Sequence, residues 1–196
     1  MGEFTNIDGK KVLVKDDILT LSNLISLSRV LVVIPVIWIH TGNEREVNAL
    51  IWALIGYGIF SDYLDGLAAR LRNEISELGK VLDPVADKLM AFFLFLYTVW
   101  IGWIPLWFFA VGVLRDLLIM AGSAQIKKRR GKVAMSIMSG KISVNILAAY
   151  WMAVFFFRDA VMVHELLMYL SLLAMIYSFI NYVIRYRQIL DGAEFN

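Results

Sequence analysis

Apolar residues fill six long stretches of this chain, separated by short polar connections, and the stretches lack the two-residue alternation of a half-buried strand. A helix that crosses the hydrocarbon core of a bilayer needs about 20 mostly apolar residues. On that scale the spans fall near 19–40, 47–70, 84–102, 104–126, 134–157 and 163–186. The predicted fold class is all-α: a polytopic membrane protein built as one bundle of six transmembrane helices over residues 19–190. Residues 1–18 precede it. Their weak periodicity fits an interfacial strip, in which Phe4, Ile7, Val12, Val14 and Ile18 supply apolar contact, and equally an unordered tail. No internal repeat, low-complexity tract or second domain interrupts the pattern.

Composition agrees with this reading. The chain has 196 residues, is 60% hydrophobic and 13% aromatic, and has a mean hydropathy of +0.68, well above the apolar share of an ordinary soluble domain. Cysteine is absent, which excludes a disulfide framework and any thiolate nucleophile or thiolate metal site. A mixed-charge start followed by a long apolar run does not look like a cleavable signal peptide. The terminal GEF and AEFN read as remnants of cloning and carry no weight here.

Net charge is only +2, yet the basic residues are distributed very unevenly. Lys10, Lys11 and Lys15 precede span one; Arg70, Arg72 and Lys80 lie between spans two and three; Lys127, Lys128, Arg129, Arg130 and Lys132 between four and five; Arg185 and Arg187 close span six. The alternate connections hold Arg45 and Arg158 alone, and WIGW holds none. The positive-inside rule therefore predicts an inner-membrane protein with both termini cytoplasmic. Trp38, Trp52, Trp100, Trp103 and Trp107 then fall at the outer boundary, where interfacial aromatics belong. The run KKRRGK reads as a topology signal and a contact for anionic lipid, and no nucleic-acid partner is expected.

Ionisable groups inside a bilayer are expensive and mark function by default. Here they gather. Asp62 lies eight residues before Arg70, which places it ~12 Å above the cytoplasmic end of span two at 1.5 Å per residue. Asp65 lies one turn lower, and Asp83 and Asp87 occupy the start of span three. The i, i+3 and i, i+4 spacings project each pair from one helix face. Four such carboxylates repel at neutral pH unless a cation relieves them. An oxygen-only set without His or Cys selects Mg²⁺ or Mn²⁺ over zinc. Gly66 and Ala69 leave room beside the backbone, and Arg70 offers a planar fork for phosphate oxygens. Gly79 suits a loop entering a helix, and Asp83-Pro84 reads as an N-cap followed by proline at the first helical position. Together these residues suit a diphosphate. Asn23, Ser26 and Arg29 in span one, Arg115 with Asp116 in span four, and Ser139, Gly140, Lys141 and Ser143 opening span five fall on the same side of the membrane.

Residues 62–87, DYLDGLAARLRNEISELGKVLDPVAD, fit DxxDGxxARx8GxxxDxxxD without a gap, eight identities over 26 positions. The stretch resembles the signature of the CDP-alcohol phosphatidyltransferases, and the six spans match that family's architecture over nearly the whole chain. The resemblance implies transfer of a phosphatidyl group from CDP-diacylglycerol to an alcohol with release of CMP. It also implies Asp62, Asp65, Asp83 and Asp87 as ligands of two metal ions, Asp87 as general base, and Gly66, Ala69, Arg70 and Gly79 around the donor with Asp62 and Asp83. Asn23, Ser26 and Arg29 resemble the family's NxxTxxR element, with Ser in place of Thr. LGKVLDPVADKLM is especially similar to phosphatidylglycerophosphate synthases. That group tends to have Glu after the arginine of span four, where this chain has Asp116, so the departure concerns the acceptor.

The charges of Arg115 and Lys141, on facing spans at one depth, predict an anionic acceptor. Glycerol 3-phosphate is the simplest, and inositol phosphate or another alcohol is the alternative. An internal Arg115–Asp116 pair and a Lys141 that snorkels to the interface are the bland readings of the same residues. A carboxylate-lined cation transporter is the rival class, but the outer two-thirds of spans two and three are apolar. Small residues such as Gly58 and Ala68 leave a homodimer interface open.

Overall fold

The computed structural model describes the backbone of residues 2–5, 11–14, 21–72, 74–75, 79–131 and 136–192, and the side chains of 24–61, 85–131 and 136–192. Among the described residues six helices carry the fold: α1 (Leu21–Gly42), α2 (Ala49–Arg72), α3 (Gly79–Trp100), α4 (Leu106–Arg130), α5 (Met138–Phe156) and α6 (Val161–Leu190). The all-α reading holds, with each helix within a few residues of its expected span. Among the described residues α1, α4, α5 and α6 each contain a stretch long and apolar enough to cross a bilayer, and the apolar part of α2 is Ala49–Ser61. The protein is an integral membrane protein.

Two boundaries differ in an informative way. Helix α3 starts at Gly79, so the Asp83-Pro84 pair does not open it as expected but lies in its second turn. Proline there forfeits one backbone hydrogen bond, to the carbonyl four residues earlier. Helix α6 continues past the predicted end at 186 to Leu190, carrying Arg185 and Arg187 beyond the apolar stretch. Besides the helices there are, among the described residues, three short strands. β1 (Gly2–Thr5) and β2 (Lys11–Val14) pair antiparallel, and β3 (Glu74–Ile75) adds parallel to β2, with Leu13 opposite Glu74. The N-terminal segment thus pairs with the connection between α2 and α3.

The chain divides into two compact units, Met1–Tyr97 and Thr98–Asn196. In the first, α1 buries polar residues together with two valines and exposes its larger apolar ones. Ser26, Arg29, Val33, Val36 and His40 form the buried stripe at helical spacing, whereas Leu24, Leu27, Leu31, Ile34 and Trp38 form the exposed one. Lipid tails accept leucine as readily as a protein core does, so the usual inside-outside rule weakens and polar groups turn inward. Helix α2 buries Ile51, Ile55, Gly58 and Ser61 on one stripe. Helices α1 and α3 run parallel, since Arg29 meets Asp87 and His40 meets Tyr97.

In the second unit α6 buries Ser171, Met175, Ser178, Tyr182 and Ile189, again one stripe with two small hydroxyl residues. Phe108 packs edge-on to Tyr150 with ring centroids 5.0 Å apart, and Trp151 stacks on Phe155 at 4.8 Å. The first contact joins α4 to α5 and the second lies within α5, and near the α5–α6 turn the Arg158 guanidinium lies 4.4 Å from the Trp103 ring centroid.

Candidate active site

The first unit brings two predicted elements together. Arg29, in the third turn of α1, donates from Nη1 to Oδ1 of Asp87 in α3. The guanidinium is buried, with 1% of the side chain exposed, whereas Asp87 is 46% exposed. Arginine tolerates this placement because its charge is delocalised and weakly hydrated, and a carboxylate neutralises it. Ser26 lies one turn before Arg29 on the same buried stripe. Beside them Ser28 Oγ donates to the Ile25 carbonyl at 2.6 Å and shares a hydrogen bond with the Tyr57 hydroxyl at 2.7 Å, tying α1 to α2.

Helix register places the rest of the motif. An ideal Cβ on Gly58 would stand 2.5 Å from Cε of Met90, so the Met90 side chain of α3 packs against α2 at the level of Gly58. The short 73–78 connection makes the two helices antiparallel. Residue 62 is one turn beyond Gly58 on α2, and Asp87 is one turn before Met90 on α3, so the two positions have matching heights. The side chains of Asn23, Asp62, Asp65, Gly66, Ala69, Arg70, Gly79 and Asp83 lie outside the described residues. Among the described residues no three acidic or histidine side chains cluster, because Asp87 is the only member of the aspartate set that they include.

In the second unit, Arg115 does pair with Asp116: Nη1 donates to Oδ1 at 2.6 Å. It also donates from Nη2 to Ser178 Oγ of α6 at 2.6 Å, a partner that the sequence reading missed. The available signal was the i, i+7, i+11 spacing of Ser171, Ser178 and Tyr182 in an otherwise apolar span. Lys141 stands exposed in the first turn of α5. That turn is set by Tyr182, whose hydroxyl accepts from the Ile137 backbone N–H at 3.3 Å. Gly140 is required there, since an added Cβ would lie 2.7 Å from the same hydroxyl oxygen. Ser143 is buried and its Oγ meets no partner among the described residues.

A second buried polar cluster was also not foreseen. His40 Nδ1 and the Tyr97 hydroxyl are 2.8 Å apart, and Thr41 Oγ1 is 3.2 Å from the same hydroxyl. It fastens α1 to α3 at the end away from Arg29, 11 residues or about 16 Å along α1.

Comparison with known proteins places this geometry. The family model for CDP-alcohol phosphatidyltransferase matches residues 19–177. A cardiolipin synthase (CMP-forming) of Streptomyces coelicolor is 36% identical over 124 residues, 59% of this chain and 55% of that protein, so the chain spans about half of this relative's length. A CDP-diacylglycerol–glycerol-3-phosphate 3-phosphatidyltransferase of Aquifex aeolicus is 33% identical over 175 residues, 83% of this chain and 93% of the relative. Another protein of that name, from Rickettsia typhi, is 36% identical over 74 residues, 36% of this chain and 39% of its own. With the signature intact and the family match running from α1 into α6, the chain belongs to the CDP-alcohol phosphatidyltransferase family.

Proposed function

We propose that the protein transfers the phosphatidyl group of CDP-diacylglycerol to glycerol 3-phosphate, giving phosphatidylglycerophosphate and CMP. The observation that carries this reading is the Arg29–Asp87 pair. It joins the last aspartate of the signature to the α1 element while leaving that carboxylate accessible. Family membership supplies the reaction class, and the Aquifex relative, aligned over nearly its full length, carries this acceptor in its name.

In this reading the acceptor hydroxyl oxygen bonds to the phosphorus that bears the diacylglycerol, and the bond from that phosphorus to the CMP oxygen breaks. Asp87 takes the hydroxyl proton, and the electron pair leaves with CMP. Arg29 fixes the orientation of the Asp87 carboxylate. Asn23, Ser26, Gly66, Ala69, Arg70 and Gly79 border the donor with Asp62 and Asp83, and Arg115 and Lys141 take the acceptor's phosphate. Asp62, Asp65, Asp83 and Asp87 would hold two Mg²⁺ or Mn²⁺ ions. The donor set is all oxygen, which suits a hard cation, and the exposure of Asp87 leaves its carboxylate within a cation's reach. When bound, such ions supply charge neutralisation at the diphosphate. The basic connections support a cytoplasmic active site with residues 1–18 along the same interface.

A second reading, transfer to the glycerol hydroxyl of phosphatidylglycerol, is favoured by the Streptomyces relative. One assay separates the two. Purified protein with CDP-diacylglycerol and Mg²⁺ is given glycerol 3-phosphate, phosphatidylglycerol, inositol phosphate, inositol or serine, and CMP release is followed. Glycerol 3-phosphate is expected to support turnover that chelation abolishes and Mg²⁺ or Mn²⁺ restores. Turnover with phosphatidylglycerol but not glycerol 3-phosphate would establish the second reading. A phosphatidylated protein formed from donor alone would refute direct transfer.

A further inference from the structure

In the second unit, α4 and α6 pack in parallel with a nearly constant offset. Gly112 faces Met175, Arg115 meets Ser178, and Gly122 abuts the ring of Tyr186, whose hydroxyl donates to the Ile119 carbonyl at 3.1 Å. Positions 112, 115, 119 and 122 form one stripe of α4, and 175, 178, 182, 186 and 189 one stripe of α6. Arg115 is therefore a cationic rung in an interface of otherwise small, apolar and tyrosyl groups.

Its two partners differ in kind. Ser178 is fully buried, and its hydroxyl accepts from Nη2 at 2.6 Å. Asp116 is 61% exposed, whereas the arginine side chain is 11% exposed. Residues i and i+1 of a helix diverge by about 100° and do not face each other. The arginine must therefore swing aside to reach Asp116, and water competes for that carboxylate throughout. A phosphate presents several oxygens to the same guanidinium edge and binds it in two-pronged fashion. Nε of Arg115 is buried and meets no acceptor among the described residues, so donor capacity remains on this group.

We propose that Ser178 is a positioning residue for the acceptor phosphate. It holds Nη2 of Arg115 so that the guanidinium presents a fixed edge, while Asp116 acts as a resident anion that the phosphate displaces. This rests on the assignment of Arg115 to the acceptor. It also gives a role to the short side chain at position 116. A carboxylate on one methylene reaches Nη1 only while the arginine leans toward it, and releases it to a better-matched anion.

The test compares Ser178→Ala, Asp116→Asn and Arg115→Gln in the full-length protein. KM is measured for glycerol 3-phosphate and for CDP-diacylglycerol, together with protection against thermal unfolding by inorganic phosphate in the absence of donor. Ser178→Ala is expected to raise the glycerol 3-phosphate KM about tenfold and to weaken phosphate protection, with the donor KM and the unliganded Tm little changed. Asp116→Asn is expected to lower the acceptor KM by about threefold and to strengthen phosphate protection, because the competing charge is gone. A fall in kcat and Tm for Ser178→Ala without a split between the two KM values would show a purely structural hydroxyl and overturn the proposal. So would an acceptor KM raised by Arg115→Gln but untouched by Ser178→Ala. An acceptor KM indifferent to Arg115→Gln would overturn the underlying assignment of Arg115 instead.

Discussion

The unequal burial of Arg29 and Asp87 makes a quantitative prediction about which partner the fold depends on. Their side chains pair directly, with 1% and 46% exposed. Asp87→Asn leaves the guanidinium in place, buried, and without its counter-charge, the situation that costs about 3–5 kcal/mol when no other partner exists. Arg29 has a further interaction besides Asp87, and an asparagine oxygen still accepts from it, so the lower end, about 3 kcal/mol, applies. Arg29→Gln leaves a carboxylate that is half in water, and the loss falls to about 1 kcal/mol, the scale of an exposed pair. For a chain of this length about 1 kcal/mol moves Tm by about 2–4 °C, so the expected falls are about 6–12 °C and about 2–4 °C. The double variant, with neither charge, should lose clearly less stability than the sum of the two single losses. Thermal unfolding is measured in detergent with chelator present, so that loss of a cation does not enter the comparison. Equal losses, a larger loss for Arg29→Gln, or strict additivity would refute the reasoning that the buried cation dominates the pair.

Three shorter predictions follow from the packing. Gly140→Ala places a Cβ 2.7 Å from the Tyr182 hydroxyl and should cost about 1–3 kcal/mol, with part of the loss recovered in Gly140→Ala/Tyr182→Phe, as read by thermal unfolding. Tyr97→Phe removes the hydroxyl shared by His40 and Thr41 and should lower stability by about 1–2 kcal/mol, by the same measurement. Because the sequence contains no cysteine, single cysteines report topology directly. A membrane-impermeant maleimide applied from outside should label Asp159→Cys in sealed cells and label Lys128→Cys only after the membrane is opened; the reverse pattern would invert the assigned orientation.

The helices were legible because each had to be both long and apolar, a constraint that leaves little freedom in where a span lies. The i, i+3 and i, i+4 spacing of the aspartates was legible for the same reason, since it is a property of one helix. What failed was local or non-local in a specific sense. The Asp83-Pro84 pair carried the usual signal for a helix start, yet α3 begins at Gly79 and absorbs the proline inside its second turn. The Arg115–Ser178 bond spans 63 positions and the His40–Tyr97 bond 57, and no periodicity within one span announces its partner in another.

The polar stripe of α1 explains why those cross-helix bonds carry so much of the specification. In water, burial of apolar surface selects which faces meet. In lipid the exposed stripe of Leu24, Leu27, Leu31, Ile34 and Trp38 loses nothing by remaining outside, so apolar packing alone does not choose the inward face. The choice falls to groups that lipid cannot satisfy. Arg29 with Asp87 near one end of α1, and His40 with Tyr97 near the other, are two bonds about 16 Å apart along a single stripe. One bond would leave α1 free to rotate or slide about a point; two fix its rotation and its height against α3. The proposed catalytic carboxylate is one of those two anchors. The same arginine that defines which way α1 faces therefore also defines where Asp87 stands, and a change that loosens the far His40–Tyr97 bond should reach the active site as a shift in the direction of that carboxylate.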